Sequence, residues 1–253
     1  MSHMQRQGSN PLLDRYFQAV REVRLYSSPG NLRFYLRYLF GDLRFEGKRM
    51  LDIGGGTGLF SFYAACMGAS EVICLEPEAD GFLGSLSGKF GKVKARLPEM
   101  QHVHLEATGF QEFDAGGKEF DILLLHNSIN HLDEPSCERL HHDSAAVEAY
   151  EGLFRKLSGM ARPGAGLVIA DCSSRNLFPR LNLKNPVARD IEWHKHQPPE
   201  LWIHLLARSG FHKPDLRWRS FDQLRWIGKW LTGNRAAAYF LQSHFRLIME
   251  KRT

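Results

Sequence analysis

Arg49-Met50-Leu51-Asp52-Ile53-Gly54-Gly55-Gly56-Thr57-Gly58 is the stretch whose reading sets the fold. Met50, Leu51 and Ile53 read as a buried strand running straight into a glycine-rich turn. A helix is expected to open near Thr57 and continue through Leu59, Phe60, Phe62, Tyr63 and Ala65. Gly54, Gly56 and Gly58 permit positive φ and remove Cβ atoms where a ligand must lie against backbone. The free N–H groups at the start of such a helix point at whatever sits over the turn.

A dinucleotide turn wants Gly-x-Gly-x-x-Gly. Here the third glycine comes one place early, and Leu59 fills the position that must be small. With Asp52 ahead of the first glycine, the pattern Asp-x-Gly-x-Gly-x-Gly on a strand resembles motif I of the class I S-adenosylmethionine (SAM) methyltransferases. Val72-Ile73-Cys74-Leu75 reads as the next strand and ends in Glu76. One carboxylate can accept from both hydroxyls of a ribose diol, so this place wants Glu or Asp. The resemblance implies SAM as cofactor and S-adenosylhomocysteine as product. It puts Asp52, Gly54, Gly55, Gly56, Thr57, Gly58, Glu76 and Pro77 around them.

The remaining chain follows in a matching order. Two helices are expected between residues 10 and 42, broken at Ser27-Ser28-Pro29-Gly30-Asn31 and ended by Gly41. Residues 79–97 read as a glycine-interrupted helix, and His102-Val103-His104-Leu105 as a third strand. Residues 107–113 align with the family's adenine-contact segment, where an aspartate commonly receives the amino group. Gly109 stands at that place here, leaving the Phe110 backbone, with Thr108 or Gln111, to recognise the adenine. Phe120-Asp121-Ile122-Leu123-Leu124-Leu125 is the apolar run of a central parallel strand. Ligands in such sheets lie beyond the carboxyl ends of the strands, so His126, Asn127 and His131 should face the sulfonium and acceptor.

A helix is expected over 136–161, a turn over Arg162-Pro163-Gly164-Ala165-Gly166, and a fifth strand over Leu167-Val168-Ile169-Ala170, ending at Asp171. The irregular stretch 174–197 is long enough to be functional or to carry a small helix. Pro198-Pro199-Glu200 opens another helix, residues 212–218 form an outer strand, and residues 240–249 the last, antiparallel one. The resemblance implies an α/β, Rossmann-like seven-stranded sheet of order 3-2-1-4-5-7-6, flanked by helices. Residues 1–46 are read as a vector-derived remnant, Met1-Ser2-His3-Met4, followed by a helical cap. Residues 47–253 are read as the SAM-dependent methyltransferase domain.

Bulk composition agrees with this class. The chain has 253 residues, 43% hydrophobic and 24% charged, as one α/β domain with additions requires. A net charge of +5 is modest, and no base-gripping motif follows the fourth strand, so no nucleic-acid partner is expected. Cys66, Cys74, Cys137 and Cys172 show no Cys-x-x-Cys spacing; they read as reduced thiols of a cytoplasmic protein, with no metal site. His141-His142-Asp143 lacks further ligands at metal spacing.

Transfer to oxygen needs alignment of the partners and a base near neutral pKa, which suits histidine. The candidates are His126, His131, His194 and His196, with Asp171 able to orient one of them. The acceptor is read as a small molecule. Residues 221–231, with Phe221, Leu224, Ile227 and Leu231 on one stripe beside Trp226 and Trp230, could instead form a basic amphipathic helix. A peripheral membrane or glycolipid contact there would favour a lipid-linked or cell-envelope glycan acceptor. A SAM-binding protein without turnover is the third reading. Oligomeric state is not legible.

Overall fold

The computed structural model describes residues 10–77, 83–186, 188–189, 191–219 and 234–253. Two helices lead in. α1 (Pro11–Glu22) opens where the Asn10 side chain accepts from the N–H groups of Leu12 and Leu13, with proline in the first turn. α2 (Pro29–Phe40) repeats the device with Ser28 and Pro29 and stops at Gly41, whose φ is +58°. The interhelical break is therefore shorter than expected, because Ser28 and Pro29 begin the second helix instead of interrupting the chain.

The sheet strands are β1 (Arg49–Ile53), β2 (Glu71–Leu75), β3 (Val103–Glu106), β4 (Phe120–His126), β5 (Ala161–Cys172), β6 (Phe211–Trp218) and β7 (His244–Lys251). Their spatial order is β3-β2-β1-β4-β5-β7-β6, as the resemblance implied. β1 to β5 run parallel, and β7 is antiparallel to both neighbours.

Alternation along the strands divides the core in two. Leu51, Ile53, Leu123 and Leu125 face α5 (Glu134–Arg139), α6 (Ser144–Gly159) and α8 (Pro199–Arg208), through Cys137, Tyr150, Phe154 and Trp202. Met50, Ile122 and Leu124 face α1, α2, α3 (Leu59–Cys66) and α4 (Leu83–Arg96). The leading helices bury Tyr16, Val20, Tyr35 and Leu36 in this second cluster, so they complete one face of the sheet. All four cysteines are buried free thiols. No helix among the described residues is long and apolar enough to cross a membrane.

Three local expectations are corrected. The single helix over 136–161 is two, because Asp143 accepts from the Ala145 N–H and caps a new start. The turn over 162–166 is a bulge within β5: Phe120 pairs with Ala161 and Ile122 with Gly166, leaving extra residues between. The last strand begins at His244. Before it lies α9 (Arg235–Phe240), capped by Asn234 and built on three alanines. α7 (Leu177–Arg180) is the small helix of the long stretch after β5. The amphipathic reading of residues 221–231, and residues 79–82 of the glycine-interrupted helix, lie outside the described residues.

Candidate active site

The four glycines after β1 are required for different reasons. Gly54, Gly56 and Gly58 have φ of +70°, +57° and +74°. A Cβ on Gly54 would come 2.6 Å from Ser128 Cβ, and one on Gly58 2.6 Å from the Phe90 ring. Gly55 lies over Cys74 Sγ and the Asp52 carboxyl, at 2.5 and 2.8 Å from such a Cβ. Only the Gly56 position faces open space, with Glu76 Oε2 its nearest neighbour at 4.0 Å. The chain folds back here because the N–H groups of Gly54 and Gly55 both donate to Leu75 O, at 2.9 and 3.0 Å. Gly58 is an αL N-cap without a side-chain cap, so α3 presents bare N–H groups at its start, two residues beyond Thr57.

Glu76 follows β2 and is half-buried beside this turn. Its Oε2 accepts from the Gly56 N–H at 2.7 Å. Burial raises its pKa, opposed by that bond. Asp52 lies beneath the turn and is not in the lining of the cavity over the strand ends. It is fully buried and accepts from Ser61 Oγ at 2.6 Å, and burial, with the Glu76 charge adding, pushes it up to about 7 against the Ser61 bond.

A cavity of about 210 Å³ lies over the carboxyl ends of β1, β2 and β4. Gly54, Glu76 and Pro77 form one side, Thr108 to Gln111 the far end, and Asn127, Ser128 and His131 the β4 side. Phe110 buries its ring in the core. Over Gly109, the Glu112 carboxylate reaches within 2.5 Å of where a Cβ would stand. Asn127 takes a left-handed φ of +52°, uncommon for a side-chain-bearing residue, and is pinned by its N–H to Ala170 O at 2.8 Å. Ser128 Oγ donates to Ile53 O at 2.6 Å, joining the two strand tips. The polar groups fit an adenosine-bearing ligand: the Glu76 carboxylate in the cavity can accept from a diol, the Gly56 side is open, and the exposed Glu112 carboxylate stands over Gly109 at the cavity's far end.

A second cavity of about 230 Å³ shares Asn127 and His131 with the first. Asn130, Cys172, His196 and His244 also line it. Behind it sits Asp171, 1% exposed, with Oδ1 accepting from the Cys172 N–H at 2.7 Å and lying 3.2 Å from His196 Nδ1. The His196 contact is an ion-pair approach and not an aligned hydrogen bond. Asp171 Oδ2 and Asn130 Oδ1 are buried with no hydrogen-bond partner among the described residues. Burial and the Arg219 charge push His244 down to about 4, with Asp171 opposing.

The sequence-expected histidines thus separate. His196 and His131 line cavities; His131, half-exposed, also pairs with Glu134. His194 is exposed on the surface, 3.5 Å from Glu138. His126 lines neither cavity: its Nε2 is 2.6 Å from the Tyr35 hydroxyl and its ring 4.5 Å from Phe60. Burial, then Arg219 and His244, push it down to about 3. Sequence reasoning missed His244, which a strand begun at Phe240 places mid-element, and Glu112, whose approach to Gly109 no local pattern encodes.

Residues 27–213 match the profile of a family described as a methyltransferase domain, and the chain belongs to that family. With the sheet order and the glycine turn it is of the class I SAM-dependent kind, for which SAM is the cofactor. A ribosomal RNA large subunit methyltransferase of Deinococcus radiodurans is 36% identical over 137 residues, 51% of this chain but only 30% of that protein. A ubiquinone biosynthesis O-methyltransferase of Ruegeria pomeroyi is 26% identical over 72% of this chain and 67% of its own. Among solved structures, a SAM-dependent methyltransferase of Archaeoglobus fulgidus superposes with a TM-score of 0.51 at 17% identity, over 97% of this chain and 96% of its own. Phosphoethanolamine N-methyltransferase 2 of Haemonchus contortus, in complex with S-adenosyl-L-methionine, does so with 0.59 at 14%, over 98% and 59%. These two share the fold.

Proposed function

We propose that this protein methylates a hydroxyl of a small molecule, with His196 as general base and Asp171 as its positioning partner. The observation that carries the reading is the second cavity, which meets the first at Asn127 and His131 and holds His196 backed by a buried carboxylate. The O-methyltransferase relatives support the choice of oxygen.

Bound SAM supplies a methyl group activated by a sulfonium. Glu76, fixed by the Gly56 N–H, accepts from the ribose hydroxyls. Gly54 to Gly58 give the close backbone, Pro77, Gly109 and Phe110 flank the base, and Glu112 accepts from the adenine amino group. Asn127, held at its strained angle, separates the two cavities. The Asp171 carboxylate, 3.2 Å from Nδ1 of His196, favours the imidazolium by charge, leaving Nε2 for the acceptor. His196 takes the hydroxyl proton as the new carbon–oxygen bond forms, and passes it to solvent. A second route, a lipid-linked or glycan acceptor reached through residues 221–231, rests on residues outside those described.

The test is release of S-adenosylhomocysteine from tritiated methyl donor with a library of phenols and aliphatic alcohols. Turnover that falls in His196→Asn at unchanged cofactor affinity supports the reading. Label entering ribosomal RNA in place of the small molecules, or binding without turnover on any acceptor, overturns it.

A further inference from the structure

A third cavity, of about 710 Å³, lies along the same sheet edge beyond the second. β5 ends in the wall of the second cavity at Cys172, and the chain after it enters the wall of this one at Ser174 and Arg175. Across the edge, Trp218 at the end of β6 pairs with Phe245, next to His244. The volume is that of a ligand site.

The wall has two chemistries. Trp218, Tyr239 and Phe240 offer ring surface, and Phe240 is 53% exposed, unusual for so large an apolar side chain. Arg175, Arg180 and Arg235 contribute three positive charges against one carboxylate, Glu200. Glu200 is shared, 3.3 Å from Arg175 and 3.3 Å from Arg235. Arg180, exposed at the end of α7, has no ion-pair partner among the described residues. Converging guanidinium groups beside a ring-lined wall suit planar anions carried on an apolar body.

We propose that this cavity is a binding site for an amphipathic anion: an apolar chain or ring system ending in a phosphate or carboxylate. Arg180 supplies the uncommitted charge, and Trp218 and Phe240 cover the apolar part. The assignment does not depend on methyl transfer.

The test is calorimetry with monomeric decyl phosphate, below its micelle concentration, on the full chain. Saturable binding is expected, weakened at least fivefold in Arg180→Ala and in Phe240→Ala, and far tighter than binding of inorganic phosphate or of neutral decyl maltoside. S-adenosylhomocysteine affinity should be equal in all three proteins, which separates a failure here from failure of the cofactor site and from misfolding. Equal affinity for decyl phosphate and decyl maltoside would overturn the charge assignment. Binding only to phosphatidylglycerol vesicles, with none to the monomer, would replace the cavity ligand by a membrane surface and overturn the proposal.

Discussion

The hydroxyl of Tyr35, on α2, lies 2.6 Å from Nε2 of His126, at the tip of β4. It ties the leading helices to the edge of the sheet where the cavities open. Arg219, just after β6, lies over the Tyr35 ring, 4.3 Å from its centroid, so the tie gathers three parts of the chain. Tyr35→Phe leaves a buried ring nitrogen without this partner. A loss of about 1–3 kcal/mol is expected, read by urea denaturation. A double-mutant cycle with His126→Gln should show coupling; strict additivity would mean the contact carries no energy.

The same histidine sets a pH dependence. His126 is pushed down to about 3 and His244 to about 4, whereas an unfolded histidine titrates near 6.5. Between these values the unfolded chain binds protons that the native protein refuses. Stability is therefore complete above about pH 6.5 and falls as pH drops toward 3. His126→Gln should flatten part of that limb in melting temperature measured from pH 8 to 4.

Asp52 works in the opposite sense. Its native pKa is about 7 and its ordinary value 3.8, so the native protein holds a proton that the unfolded chain gives up. That contribution is present below about pH 4 and is lost as pH rises through 7. Asp52→Asn can still accept from Ser61 Oγ and never ionises. Its stability relative to the parent should improve steadily from pH 4 to 8. A gap independent of pH would show that Asp52 titrates normally.

The sheet was legible because each central strand is a nearly unbroken apolar run and each turn carries its own glycine or proline. The glycine turn and Glu76 were legible because backbone geometry and diol chemistry restrict both to few residue types. What the sequence hid is of another kind. His244 reaches the second cavity through the antiparallel return of β7, beside β5, and Asp171 meets His196 across 24 intervening residues, mostly irregular, whose path no periodicity gives. Gly54, Gly56 and Gly58 were read as room for a ligand, yet a Cβ on Gly54 or Gly58 would meet Ser128 or Phe90, as one on Gly55 would meet Cys74; of the four, Gly56 alone opens outward.

That difference separates two alanine variants. Gly58→Ala meets both a left-handed φ and the Phe90 ring, and should lower thermal stability sharply. Gly56→Ala meets the φ penalty alone, roughly 1–2 kcal/mol, because its Cβ enters open space. Its larger effect should appear in cofactor affinity by calorimetry. Equal stability losses in the two would contradict the assignment of the Gly56 side to the ligand.

Glu76, in the lining of the first cavity, and Glu112, exposed beside it over Gly109, should make separable contributions to binding. Glu76 is proposed to hold the ribose and Glu112 the adenine amino group above Gly109. Removing a charged hydrogen-bond partner costs about 1.5–3 kcal/mol, so Glu76→Ala should weaken S-adenosylhomocysteine roughly ten- to hundredfold. Glu112→Gln should cost less, since the side chain is exposed and its charge is screened by water. The distinguishing ligand is S-inosylhomocysteine, which carries a carbonyl where adenine has its amino group. The parent should prefer the adenine compound and Glu112→Gln should lose that preference, while Glu76→Ala weakens both equally. If the preference survives in Glu112→Gln, the base is read by backbone groups of Gly109 and Phe110 and not by this carboxylate.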